Sequence, residues 1–191
     1  ISNLAYKNWE PYWTHFIPSY AYREILKSFN NLNDLAYLVY GGYENADRAK
    51  IACFRKSIGH TDKDLKKDFP AVGIDIKGNF LFDNASQSDF RKFIKDYFVE
   101  EEQIGDIWTY GDRGAQGIIE KMDLKCNPEI KYFLRDVEVE VKIIPLHELK
   151  IPITRIEKYI STVEASKRLD AIASAGFRLS RSKISDRIKQ G

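Results

Sequence analysis

The sequence predicts an α+β fold in three parts: a small N-terminal α/β element, a central ferredoxin-like (RRM-like) domain and a C-terminal pair of basic helices. Three observations carry that expectation. Residues 70–145 alternate between strand and helix periods in the order β-α-β-β-α-β, the split βαβ arrangement. Residues 1–65 hold one helical and two strand-like segments. Residues 160–191 gather positive charge at helical spacing.

Taken in order, the chain opens on aromatics: Trp9, Tyr12, Trp13, Phe16, Tyr20 and Tyr22. Pro11 and Pro18 bar a helix before Ser19. Such a cluster reads as core or interface rather than as a base-stacking surface. Ile25, Leu26 and Phe29 then mark a helix face over 20–29. Two strands follow, 34–40 and 51–54, joined by the loop GGYENADR. His60 to Phe69 is dense in charge, ends at Pro70 and reads as a surface connector.

Beyond it the central series is regular. Val72–Ile76 alternates as a strand. Phe90, Phe93, Ile94, Tyr97 and Phe98 line one face of a helix over 86–98, with Ser86 or Ser88 as its cap. Strands at 106–110 and 115–119 flank the turn Gly111-Asp112-Arg113-Gly114. Asn127-Pro128 opens a short helix through Leu134, with proline at the first helical position. Over 137–144, Val137, Val139, Val141 and Ile143 face one way and Glu138, Glu140 and Lys142 the other. The third strand of this domain, Ala115 to Ile119, has no aromatic residue, so the base-stacking platform of RNA-recognition domains is missing.

A polar linker precedes the basic end. Ser161-Thr162-Val163-Glu164 fits a capping box for a helix over 163–174 with Leu169, Ile172 and Ala173 as its apolar face. Gly176 stands where a left-handed C-cap is wanted, and Ser180 caps a second helix with Ile184 and Ile188 inward. From Ala165 to Gly191 there are seven basic and two acidic residues, a net +5, while the other 164 residues carry 23 basic and 26 acidic groups, a net −3. A helix N-terminus with free amides, hydroxyls and nearby arginines suits phosphate. The RNA-contacting candidates are Arg168, Arg178, Ser180, Arg181, Ser182, Lys183, Arg187 and Lys189. So little apolar surface calls for a further partner layer.

Other chemistries find less support. Cys53 and Cys126 lie far apart, and His15, His60 and His147 are scattered, so no metal site is expected. The two thiols read as buried and free, in a reducing compartment. No apolar run reaches the roughly 20 residues of a membrane-spanning helix. Asp83, Asp89 and the run Glu100–Glu102 read as solvated acidic positions, and the Gly-Asp-Arg-Gly turn lacks the spacing of a phosphate-cradling loop. Neither a catalytic residue nor a cofactor is expected. Turn chemistry accounts for both glycine clusters; the functional alternative places Arg48 or Arg113 on phosphates. With Ile1 first and Met122 the lone methionine, the chain reads as a fragment or a processed product.

The basic end resembles the S-four RNA-binding domain. Its elements stand at Arg168-Leu169-Asp170, Gly176, Ser180-Arg181-Ser182 and Ile188-Lys189-Gln190-Gly191, without the hairpin that usually follows. The longer stretches GGYENADRAKIACFR, GNFLFDNASQSDF, GDIWTYGDRGAQ and TVEASKRLDAIASAGF resemble the YlmH family, notably its cyanobacterial and plastid branch, often labelled photosystem II S-four domain proteins. The resemblance implies a monomeric RNA-binding factor, not an enzyme, that meets rRNA, with tRNA as a second candidate, on the large ribosomal subunit in ribosome-associated quality control. The Lys-, Asn-, Ile- and Tyr-rich composition and the missing start favour a plastid stroma, with a cyanobacterial cytoplasm as the alternative. Arg178 and Arg187 join the site on charge and helical position alone. The competing expectations are an accessory RNA-modification enzyme and a photosystem II biogenesis factor. The implied domains are 1–65, 70–145 and an incomplete S-four domain at 160–191.

Overall fold

A computed structural model describes residues 10–29, 33–121, 131–152, 161 and 164–190. The chain divides into two compact units, Ile1–Pro152 and Ile153–Gly191. The first is α+β and contains two antiparallel sheets.

The smaller sheet is built around strand β4 (Arg48–Arg55). Strand β3 (Leu35–Tyr40) pairs along one side of it, while the short strands β1 (Tyr12–Trp13) and β2 (Ile17–Pro18) share the other. Thr14, between the short strands, continues the ladder: its amide donates to the Ile51 carbonyl at 3.0 Å and its hydroxyl accepts from the Ile51 amide at 2.9 Å. Six consecutive residues of β4, Ala49 to Phe54, are buried because both faces are covered. Helix α1 (Ser19–Phe29) sends Ile25 to Leu35 and the buried thiol of Cys53. Helix α2 (Asp62–Lys67) sends Leu65 to Ala52 and Phe54.

Helix α2 occupies the stretch for which the sequence predicts a connector. Thr61 and Asp64 form a reciprocal capping box that starts it. Leu65 and Phe69, four apart, are both buried. The charge around them conceals a two-residue apolar stripe. Phe69 takes edge-on contacts from Trp13, Tyr40 and Phe16, with ring centroids 5.1, 4.9 and 6.3 Å away.

The larger sheet runs β6 (Ile104–Thr109), β7 (Gly114–Glu120), β5 (Ala71–Lys77), β9 (Val137–Ile144), β8 (Tyr132–Leu134), all pairs antiparallel. Its first four strands stand in the order of a ferredoxin-like sheet. Helix α3 (Gln87–Tyr97), capped by Ser86 with Asp89 reaching back, lays Phe90, Phe93 and Ile94 on Ile74, Ile76, Ile104 and Ile119. Gly114 (φ +139°) lets the turn before β7 pass beside the Ile76 carbonyl, where a Cβ would have no room.

Strand β8 corrects the sequence expectation of a helix through Leu134. Residues 127–130 of that helix lie outside the described residues, but Tyr132–Leu134 is extended and pairs with β9 through the two-residue loop Arg135–Asp136. Tyr132 and Leu134 alternate inward beneath α3 while Phe133 faces out, a period of two in a run too short to reveal it in the sequence. Arg135 adopts a left-handed conformation (φ 54°) and its guanidinium meets Asp83 at 2.7 Å and Asp89 at 2.8 Å.

The loop before α3 is pinned at its base: the Gly78 and Phe80 amides donate to the Arg113 and Asp112 carbonyls. Phe80 is buried, whereas Phe82 is 94% exposed. Phe82→Ser is therefore expected to change unfolding free energy by less than about 0.5 kcal/mol, as read from urea denaturation.

The second face of the larger sheet is closed over much of its area. Ala71 and Ile118 pack with Phe16, Phe69 and Leu149, and Ile144 borders the cluster. The rest of that face carries ion pairs, Lys77 with Asp75 and Lys142 with Glu140. On this face β7 carries no aromatic residue, and the part left uncovered holds those ion pairs.

Candidate functional site

The C-terminal unit presents the predicted basic surface on two helices, α4 (Leu169–Phe177) and α5 (Arg181–Gln190). Helix α4 starts later than the capping-box pattern suggests. Thr162 and Val163 lie outside the described residues, and Glu164 to Arg168 is not helical. Asp170 in the first turn complements the helix dipole, and Arg168 binds it at 3.0 Å. Ala171 and Ile184 are the buried apolar residues. Leu169, Ile172, Phe177 and Ile188 are exposed, so the inward faces expected for Leu169, Ile172 and Ile188 are corrected.

The turn is also built differently. Gly176 stays inside α4, and Arg178 takes the left-handed position (φ 53°). Ser174 clamps the turn from both sides. Its carbonyl accepts from the Arg178 and Leu179 amides, and its hydroxyl donates to the Leu179 carbonyl at 2.6 Å. That second set of bonds anchors a non-glycine residue where glycine would be expected.

Ser180 opens α5. Its carbonyl accepts from the Ile184 amide at 3.1 Å and its hydroxyl from the Lys183 amide at 3.4 Å. The Ser182 hydroxyl lies 3.1 Å from that of Ser180. Arg181 approaches Glu164 at 3.9 Å, a contact the sequence reading missed, and remains mostly exposed. Arg168, Arg178, Ser180, Arg181, Ser182, Lys183 and Arg187 are all exposed, and the side chain of Lys189 is outside the described residues. Among the described residues Arg178, Lys183 and Arg187 have no acidic partner within ion-pair distance. Three unpaired cations, two hydroxyls and a helix N-terminus make a surface suited to polyanions.

Arg48, the alternative phosphate contact, has a structural role instead. Its guanidinium donates to the Ile104 and Phe16 carbonyls, at 2.9 and 3.4 Å. The loop GGYENADR, where Gly42 takes φ +98°, docks on one buried carboxylate. Asp106 accepts from the Tyr43 hydroxyl at 2.8 Å, the Asp47 amide at 2.8 Å and the Arg48 amide at 2.9 Å. Burial raises the Asp106 carboxyl above its ordinary value, against those three donors. Nearby, Lys50 is fully buried and reaches Glu120 at 2.6 Å, and His15 meets the other Glu120 oxygen at 2.8 Å. Glu120 thus ties Lys50 and His15 of the smaller sheet region to the larger sheet. Nothing in the spacing of Lys50 and Glu120 announces that pair.

Among the described residues no group of three or more His, Cys, Asp or Glu side chains could hold a metal ion, and no helix is long and apolar enough to cross a membrane.

The fold and the exposed helix pair define an α+β protein whose ferredoxin-like sheet carries a second sheet on one face and whose C-terminal basic helices form part of a separate compact unit. Residues 1–62 match the family described as "YlmH, N-terminal". The structure resembles that of the cell division protein ylmH from Streptococcus pneumoniae, with a TM-score of 0.59 and 18% sequence identity over 79% of this chain and 88% of that one. That likeness establishes the fold alone, and the family match is confined to residues 1–62. No curated protein matches the chain.

Proposed function

We propose that the protein binds RNA in the translation apparatus, docking on rRNA of the large ribosomal subunit, with tRNA as a second candidate ligand, during ribosome-associated quality control, and with its C-terminal unit as the S-four contact. In this reading it acts as a monomer in the plastid stroma and performs no catalysis. The observation that carries it is the start of α5: Ser180 and Ser182 at the helix N-terminus, flanked by exposed Arg178, Arg181, Lys183 and Arg187. A phosphodiester backbone is a polyanion whose recognition this geometry serves.

Sedimentation with large subunits tests the reading. Co-sedimentation is expected at about 50 mM salt and a steep loss by about 200 mM, because each neutralised phosphate releases counterions. A chain left in the supernatant at both salt concentrations, or one that instead follows thylakoid complexes, overturns it. Turnover of bulk rRNA or tRNA into a modified product overturns the non-catalytic part.

A further inference from the structure

The compact unit Ile1–Pro152 contains a cleft of about 420 Å³, lined by residues of that unit. It is lined by Tyr22 from α1, Tyr40 at the end of β3, Tyr43, Glu44 and Asn45 from the following loop, and Lys66 from α2. Its volume falls within the roughly 300–1,000 Å³ of small-molecule sites.

Two of the three tyrosines are fixed before anything binds. The Tyr40 hydroxyl donates to the Gly42 carbonyl at 2.8 Å and its ring stands edge-on to Phe69. The Tyr43 hydroxyl donates to Asp106 at 2.8 Å and its ring stands edge-on to Trp108, with centroids 6.0 Å apart. With their polar ends tied into the protein, these rings offer the cleft chiefly aromatic surface at little further entropic cost. Asn45, at the rim, holds a left-handed backbone conformation (φ 60°).

The charges narrow the ligand. The Lys66 ammonium already lies 5.2 Å from the centre of the Tyr40 ring, so the cation–π position there is taken and a second cation is disfavoured. Glu44 lines the same cleft, so its carboxylate offsets the Lys66 charge and the lining does not select for a bare anion. What remains is a flat, neutral group that stacks on tyrosine and has polar edges for an amide, a carboxylate and an ammonium. An unpaired nucleobase meets each of those requirements.

We propose that this cleft receives one unstacked base of the bound RNA, with ring contact from the tyrosines and edge contacts from Glu44, Asn45 and Lys66. The proposal rests on the RNA-binding reading above, and it adds a second, base-reading contact to a phosphate-reading one.

The test titrates the full chain with the four nucleoside 5′-monophosphates, following ligand signals by saturation-transfer NMR. At least one nucleotide is expected to bind in the millimolar range, with about tenfold weaker binding to Tyr22→Ala and to Lys66→Ala, and unchanged binding to the double variant Lys77→Ala/Lys142→Ala, which lies outside both proposed contacts. Lys66 is a surface residue, so that variant keeps the test valid if Tyr22→Ala fails to fold. No saturation transfer from any nucleotide overturns the proposal, as does equal binding by wild type and Lys66→Ala. Preference for tyrosinamide or tryptophanamide over every nucleotide also overturns it, by marking a pocket for a peptide side chain. The two readings fail separately: nucleotide binding in the cleft, with RNA affinity indifferent to Arg181 and Lys183, sinks only the basic-helix surface.

Discussion

Glu120→Ala is expected to cost the protein roughly 3–5 kcal/mol, enough to remove much of the 5–15 kcal/mol that typically holds a domain together. The reason is Lys50. Its ammonium is fully buried, 2.6 Å from Glu120, with the Phe16 ring 5.4 Å away. Burial lowers the Lys50 pKa, and the Glu120 carboxylate works against that shift. Removing the carboxylate leaves the desolvation cost without its main compensation. Replacing both partners tells a different story: Lys50→Met with Glu120→Gln should cost far less than Glu120→Ala alone, because no buried charge remains. The pH dependence has a definite sign. Lys50 binds its proton less tightly folded than unfolded, so its unfavourable contribution is full below the lowered folded pKa and fades as pH rises towards 10.5, the ordinary value. The deficit of Glu120→Ala should accordingly shrink in urea titrations as pH climbs through that window. A deficit below about 1 kcal/mol at neutral pH would show that Lys50 finds water or another partner when Glu120 is gone.

That pair marks the boundary of what the sequence discloses. The central sheet was legible because its information is local: Val137 to Ile144 alternates, Ser86 and Asp89 form their box three residues apart, and Phe90, Phe93 and Ile94 recur at helical spacing. Four elements escaped: the two-residue strands β1 and β2, helix α2 and strand β8. Helix α2 did because its buried side is only Leu65 and Phe69 within a charged stretch, and strand β8 did because three residues are too few to show a period. Contacts between distant segments have no local signature. Glu120 and Lys50 are 70 positions apart, and Asp106 and Tyr43 are 63 apart. GGYENADR reads as a loop and residues 106–110 as a strand, yet they meet at Asp106. The basic helix pair shows both sides. Its residue types and helix start were readable from charge and from Ser180, while the exchange of roles between Gly176 and Arg178 depends on Ser174 bonds that only the folded turn reveals.

For the proposed RNA surface, the decisive variant is Arg181→Ala/Lys183→Ala. Each side chain removed takes away about 1 kcal/mol of charge-assisted contact, so affinity for rRNA should fall roughly 30-fold. The slope of log affinity against log salt should become shallower by about 2, close to 0.9 per lost phosphate contact. Stability should move by less than about 0.5 kcal/mol, since both side chains are exposed and Lys183 meets Ser180 through its backbone amide. This separation of binding from folding gives the experiment its force. A general effect of positive charge is distinguished by Lys77→Ala/Lys142→Ala on the sheet, where the same two charges are lost from sites already paired with Asp75 and Glu140. That control should leave the salt slope nearly unchanged. If both double variants lower the slope alike, the protein holds RNA through its overall field and not through the N-terminal turn of α5. If neither does, the polyanion docks on a different part of the chain, and the S-four reading of the basic helices fails with it.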